Sequence, residues 1–313
     1  MCASKLLGLQ PGQLNETRIG LQTGSCANMR QLPADPDMED LDFTRPSRSE
    51  LYDPAIARTC FGALGKPENV AQGGPIFTED QTTDKMYFLL EGEVGLSRGK
   101  KLIDIVKAGE IFGEMAAITG QPRSASAVAR TACRVIALDG KQFTQAIQKA
   151  PEFVLMLMSI MINRLRLTDA MLGMTRSLPD WSGKAESKIF DKKMIEELAS
   201  ALHGRPPQRY PAGRMIMKEG DTGVFMYLVL QGRVAISIQS HVVEKVGAGG
   251  LFGEMALLDQ SKRAATAAAE TDCVLASANR DDFVTLVKTK PAFAVSLLKA
   301  IAERLRFMTS HRS

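Results

Sequence analysis

Two short apolar runs, Met86-Tyr87-Phe88-Leu89-Leu90 and Met226-Tyr227-Leu228-Val229-Leu230, are rich in aromatic and branched side chains, and a glycine follows each, at Gly92 and Gly232. Runs of this length and composition predict strands. Arg98-Gly99-Lys100 and Gln239-Ser240 have the residues of hairpin turns. Cys133-Arg134-Val135-Ile136-Ala137 and Cys273-Val274-Leu275-Ala276 predict later strands. From Gly140 and Arg280 onward the period lengthens. Phe153, Leu157, Ile160, Leu165, Thr168 and Leu172 predict a helix of about five or six turns with a wide apolar face. Phe293, Leu297, Ile301, Leu305 and Met308 predict a second one. Pro151 and Pro291 stand near the starts of these helices, where a missing N–H costs little. Ile189, Phe190, Met194, Leu198 and Leu202 predict a shorter helix that packs onto the second set of strands.

These elements are two copies of one unit. Ile111-Phe112-Gly113-Glu114-Met115-Ala116 recurs as Leu251-Phe252-Gly253-Glu254-Met255-Ala256, an offset of 140 residues. The same offset relates Tyr87 to Tyr227, Gly109 to Gly249, Arg123 to Arg263, Cys133 to Cys273, Pro151 to Pro291, and Arg164-Leu165-Arg166 to Arg304-Leu305-Arg306. A chance motif does not hold register over about 80 residues. The expected organisation is a flexible tail over residues 1–48, a first domain over 49–174, a linker over 175–184 and a second domain over 185–313. The tail assignment rests on its Gly, Pro, Asn, Asp and Ser content. The linker assignment rests on Pro179 and Gly183.

Composition narrows the function classes. The chain has 313 residues, 45% of them hydrophobic and 24% charged, with a net charge of +4. That is the balance of an ordinary globular protein. No run reaches the roughly 18 apolar residues of a membrane span, no secretory signal is evident, and a cytoplasmic location is expected. The five cysteines form no CxxC pair and no zinc-ligand spacing. Cys133 and Cys273 sit in apolar strands and read as core thiols. No nucleophile–base pair or metal cluster points to an enzyme.

The chemistry lies in the repeated cassette. Gly113-Glu114-Met115-Ala116 is followed, after eight residues from Glu114, by Arg123-Ser124-Ala125; Gly253-Glu254-Met255-Ala256 is followed at the same spacing by Arg263-Ala264-Ala265. Glycine at the strand end lets backbone approach a ligand closely. A short helix after it points free N–H groups at an anion. Arginine supplies a fork for two phosphate oxygens. Glutamate is an acceptor suited to a sugar hydroxyl, and the small residues after the arginine leave room for a compact ligand. Together they describe a pocket for one sugar bearing one singly charged phosphate. A Glu and an Arg nine apart also fit a plain salt bridge on the rim of a barrel.

The cassette and the glycine-punctuated strands before it resemble the cyclic nucleotide-binding domain of the cAMP receptor protein and of the regulatory subunit of cAMP-dependent protein kinase. The likeness covers roughly residues 50–174 and 185–313. It implies an α+β fold of two tandem jelly-roll-like β-barrels (double-stranded β-helices), each followed by a long helix. It also implies that Arg123 and Arg263, with backbone N–H groups, bind the cyclic phosphate, and that Glu114 and Glu254 bind the ribose 2′-hydroxyl. Glu219-Gly220-Asp221 matches a family turn that the first copy replaces with Glu79-Asp80-Gln81. Thr168 matches a family position that touches adenine. Ala264, after the arginine of the second site, goes with cAMP rather than cGMP. Trp181, the single tryptophan, reads either as a linker aromatic or as a lid on the base in the first site.

The expected function is that of a cytoplasmic cyclic-nucleotide receptor, with cAMP favoured over cGMP, that acts by changing shape on an unidentified effector protein. Only seven residues follow Arg306, so no DNA-binding helix-turn-helix and no direct DNA contact are expected. Alternatives are a kinase-regulatory-subunit-like inhibitor, although Thr44-Arg45-Pro46-Ser47-Arg48-Ser49 does not match a pseudosubstrate, and a nucleotide-free scaffold. Homodimerisation through the long helices is a further expectation.

Overall fold

The computed structural model describes residues 53–174, 178, 186–202 and 204–310. The expected tail, most of the expected linker and Trp181 lie outside the described residues.

Domain one opens with α1 (Pro54–Leu64). Asp53 caps it, its carboxylate accepting from Ala55 N–H at 2.8 Å, and Pro54 takes the first helical position. Eight strands follow: β1 (Pro67–Val70), β2 (Pro75–Phe77), β3 (Met86–Glu91), β4 (Glu93–Arg98), β5 (Lys101–Lys107), β6 (Ile111–Phe112), β7 (Ser126–Ala129) and β8 (Cys133–Leu138), with α2 (Glu114–Thr119) between β6 and β7. They form two four-stranded antiparallel sheets, in the orders β1-β8-β3-β6 and β2-β7-β4-β5. Then come α3 (Gly140–Lys149) and the long α4 (Pro151–Met174).

Domain two repeats the plan. α5 (Lys192–Ala201) precedes β9 (Gln208–Tyr210), β10 (Met215–Met217), β11 (Met226–Gln231), β12 (Val234–Ile238), β13 (His241–Val246), β14 (Leu251–Phe252), β15 (Thr266–Ala269) and β16 (Cys273–Ala278). α6 (Glu254–Asp259) sits between β14 and β15, and α7 (Arg280–Thr289) and α8 (Pro291–Ser310) close the domain. The sheets are β14-β11-β16-β9 and β10-β15-β12-β13. Each domain is therefore an open, jelly-roll-like sandwich of two sheets rather than a closed barrel.

The expected turns form as two-residue hairpins. Arg98 pairs with Lys101 across β4 and β5, and Ile238 with His241 across β12 and β13. Gln239 (φ 49°) and Ser240 (φ 67°) both take left-handed backbone, the geometry that matches the twist of flanking strands. The second-copy Gly220 and the first-copy Asp80 hold the same left-handed turn, at φ 84° and 64°. Only the first copy meets a side-chain penalty there.

Apolar residues collect in three cores. One fills the sandwich of domain one around Leu89, Val94 and Phe112, and one fills that of domain two around Val229, Val234 and Phe252. The third is shared: Phe61, Phe153 and Leu157 of domain one join Phe190, Phe293 and Leu297 of domain two in a single helical core. Phe190 stacks on Phe293 at 5.5 Å between ring centroids, which fixes the segment before α5 onto the second domain.

The long helices pack on one another inside one chain. α8 also packs on α2 of domain one, and α4 packs on α6 of domain two. Arg166 of α4 is paired with Asp259 at the end of α6, and Arg306 of α8 donates to Pro122 O at 2.6 Å. These contacts cover most of the apolar surface of α4 and α8 within one chain, while Leu167, Met174 and Val295 stay exposed. This also explains why α4 is buried continuously from Met156 to Ile162 instead of along one face. A helix buried all round is one with neighbours on every side. Among the described residues, no helix is long and apolar enough to cross a membrane.

Candidate functional site

In each domain a two-residue strand ends at a left-handed glycine, Gly113 (φ 70°) or Gly253 (φ 82°), and a short helix begins at the next residue. The left-handed backbone disfavours a side chain at either glycine, and a Cβ would also lie 2.9 Å from Arg123 Nη1 or 2.8 Å from Arg263 Nη1, so the arginine would have to shift. The glycine turn and the arginine are thus built against each other. Arg123 Nη1 donates to Gly113 O at 2.7 Å, and Arg263 Nη1 donates to Gly253 O at 2.8 Å.

The two arginines differ in how firmly they are held. Arg123 also donates to Lys85 O at 2.6 Å and to Thr83 Oγ1 at 2.8 Å, and its guanidinium lies 4.1 Å from the centroid of the Phe77 ring. Arg263 donates to Phe225 O at 2.5 Å. In the second copy Met217 replaces Phe77 and Gly223 replaces Thr83, so the ring and the hydroxyl are both missing. Both arginines are buried, and no carboxylate among the described residues pairs with either. Burial lowers the pKa of each guanidinium. A buried cation satisfied only by neutral oxygens favours an anion beside it.

The glutamates are matched differently. Glu114 pairs with Arg164 of α4 and not with Arg123. Glu254 pairs with Arg304 of α8, Oε1 to Nη1 at 2.7 Å, and Arg304 also holds Glu244 at 2.8 Å and 3.0 Å. A salt bridge within the cassette, the plain alternative above, does not form. Glu114 holds the Arg164 charge above its usual range. Burial works against the Arg304 charge, but Glu244 and Glu254 outweigh it and raise its pKa. Each long helix is in this way bolted to the acidic residue of its own cassette. Arg164 and Arg304 stand in the repeat at matching positions, and that recurrence was the available signal for their role.

The other expected residues fall as follows. Ala116 and Ala256 are buried inside the short helices, and Met115 and Met255 are partly exposed. Ser124, Ala125, Ala264 and Ala265 lead into β7 and β15. Cys133 and Cys273 are buried, their thiols 3.2 Å from Glu93 O and Arg233 O. Thr168 is buried on α4 and spends its hydroxyl on Arg164 O at 2.8 Å. Its neighbour Asp169 lines a cavity of about 300 Å³ in domain two, together with Glu254, Met255, Arg263 and Ala264.

Asp169 Oδ1 is buried with no hydrogen-bond partner among the described residues. Burial pushes the Asp169 pKa up to about 7, Arg304 and Arg166 pull it down, and Glu244 adds to the rise. A carboxyl whose folded pKa exceeds its ordinary 3.8 adds stability below that value and loses it as pH rises through about 7. Asp169→Asn should therefore gain stability relative to the unsubstituted chain as pH rises from about 4 to about 7, by on the order of 4 kcal/mol across that window. Urea unfolding at both ends of that window checks this; a difference that does not change with pH would contradict it.

Each of the two sandwiches has a left-handed glycine, a helix start and a buried arginine tied to neutral oxygens, the elements of a site for a small anionic ligand. The sequence profile described as the cyclic nucleotide-binding domain matches residues 67–150 and 207–290, more than half of the chain. The chain belongs to this family and carries two of its domains in tandem. It is 29% identical over 219 residues, 70% of its length, to a cAMP-dependent protein kinase regulatory subunit of Eremothecium gossypii, and spans 43% of that protein. It is 36% identical over 125 residues, 38% of its length, to the cyclic AMP receptor protein of Thermus thermophilus, and spans 58% of it. A cyclic nucleotide-gated potassium channel of Rhizobium etli is 34% identical over 125 residues, which are 40% of this chain and 35% of the channel. The chain thus spans about a third to three fifths of these relatives.

Proposed function

We propose that this chain is a cyclic-nucleotide receptor, with cAMP as its ligand, that acts by a change of shape on a protein partner in the cytoplasm and catalyses no reaction itself. The observation that carries the reading is the pair of buried arginines, Arg123 and Arg263, each held only by neutral oxygens at a left-handed glycine turn. A cyclic phosphate brings a single negative charge and two exposed oxygens, which suits one guanidinium and the N–H groups at the helix start. Glu114 and Glu254 are placed one residue beyond the glycines, where each can accept a ribose hydroxyl.

Domain two is the tighter site in this reading. Its arginine must give up two carbonyl contacts to turn toward a phosphate, whereas Arg123 must leave two carbonyls, a hydroxyl and an aromatic face. Ala264 after the domain-two arginine, as the family likeness implies, favours cAMP over cGMP. A change of shape follows from the bolts: a ribose hydroxyl arriving at Glu254 competes with Arg304, and α8 is the helix that Arg304 anchors.

A second reading, an inhibitor of a partner enzyme in the manner of a kinase regulatory subunit, is favoured by the relative that aligns over 70% of the chain. Calorimetric titration with cAMP and with cGMP tests the receptor reading. Two binding steps are expected with cAMP, the domain-two step tighter. Absence of binding by either nucleotide would leave the scaffold alternative, and cGMP at least tenfold tighter would reverse the base choice.

A further inference from the structure

The domain-two cavity contains a carboxylate that domain two does not supply. Asp169 lies on α4 of domain one, one helical turn beyond Leu165, and both enter a lining otherwise drawn from domain two. That lining is mainly apolar, with Ile236, Phe252 and Phe307 around about 300 Å³ of space. A charge added to so small and apolar a space acts strongly on the ionisable groups already there.

The charges around Asp169 are matched almost throughout. Arg304 of α8 holds Glu244 of β13 at 2.8 Å and Glu254 of the cassette at 2.7 Å. Arg166, on the same helix as Asp169, is paired with Asp259 at the end of α6. Lys188 lies 3.8 Å from Glu186, and Glu303 lies 3.9 Å from Lys299. Two charged groups of the lining stand apart. Arg263 is held only by carbonyl oxygens. Asp169 Oδ1 is buried with no hydrogen-bond partner among the described residues. No histidine lines the cavity.

We propose that the domain-two site binds its anionic ligand together with a proton: an anion that settles on Arg263 cancels the unmatched positive charge of the cavity, Asp169 takes up a proton in response, and affinity rises as the solution turns acidic. The proposal rests on the cyclic-nucleotide reading of that site and adds regulation to it. An added negative charge disfavours the ionised form of a neighbouring carboxyl. Glu244 and Glu254 are kept ionised by Arg304, so the response falls on Asp169. Burial already places its titration at about 7, against the pull of Arg304 and Arg166, and Glu244 adds to the rise. The empty site is therefore partly ionised at neutrality and has a proton to gain. A ligand that favours the protonated form binds more tightly where that form prevails.

The link belongs to one site. At the repeat offset the counterpart of Asp169 is Thr309, whose hydroxyl donates to Leu305 O at 2.6 Å within its own helix and does not titrate. Domain one thus lends domain two a proton-binding group and receives none in return.

Calorimetric titration of the full-length chain with cAMP at about pH 6, 7 and 8 tests this, because a cyclic phosphate keeps its single charge over that range. The tighter step should strengthen roughly three- to tenfold from about pH 8 to about pH 6. At about pH 7 it should take up part of a proton, read from how the binding heat varies with the ionisation enthalpy of the buffer. The weaker step should show neither effect. Asp169→Asn keeps the shape of the protonated carboxyl and should fold, since it removes a buried charge. Its tighter step should be nearly independent of pH and take up no proton. Equal affinity at all three pH values without proton uptake in the unsubstituted chain would overturn the proposal and leave the receptor reading intact. So would an uptake that persists in Asp169→Asn, which would put the proton on another group. No cAMP binding at any of these pH values would overturn both.

Discussion

Arg263→Ala is expected to weaken cAMP binding at domain two by roughly 30- to 1,000-fold, the effect of losing one charge-assisted clamp on a phosphate. The fold should survive. The guanidinium is tied to Gly253 O and Phe225 O, two carbonyls at the pocket wall that water can serve once the side chain is gone. Arg123→Ala should impair domain one in the same direction. Its loss also removes the contact with the Phe77 ring and three hydrogen bonds, so a modest loss of stability should accompany it. Calorimetry on each variant, beside a thermal melt, separates the two effects. A double variant that binds cAMP as well as the parent would remove these arginines from the site.

The largest stability effect should come from Arg304→Ala. Arg304 is the common partner of Glu254 and Glu244, which are 1% and 6% exposed. Removing it strands two buried carboxylates side by side. Breaking a buried pair in this way costs about 3–5 kcal/mol. Arg304→Ala should also loosen the tie between α8 and the cassette without nucleotide. Urea unfolding reads the first effect. A loss below about 1 kcal/mol at neutral pH would mean that the ion pairs contribute little net stability.

The parts of the molecule that could be read from the chain are those in which local pattern and tertiary role agree. β3, β11, β8 and β16 are apolar runs because both of their faces meet protein, and they were visible as such. β1 and β9 were not: they are short and largely exposed, and carry no hydrophobic pattern. The glycine turns and the arginines stood out because close backbone approach and an anion fork each demand one residue type. The opposite held for Arg164 and Arg304. Their meaning depends on a glutamate 50 residues away in each copy, and only the folded chain brings the pair together. Thr168 and Asp169 show the same limit at finer scale. Adjacent positions on a helix differ by about 100° in direction, and which one meets a cavity is decided by the neighbouring domain.

The shared helical core has a consequence for how the protein behaves in the cell. Had α4 and α8 met as parts of separate molecules, their pairing would be a second-order event that weakens on dilution. Here both belong to one polypeptide, so each helix meets the other at an effective concentration set by the intervening chain rather than by expression level. A chain present in a few copies is as fully assembled as an abundant one. The pairing of α4 with α8 should therefore not weaken on dilution.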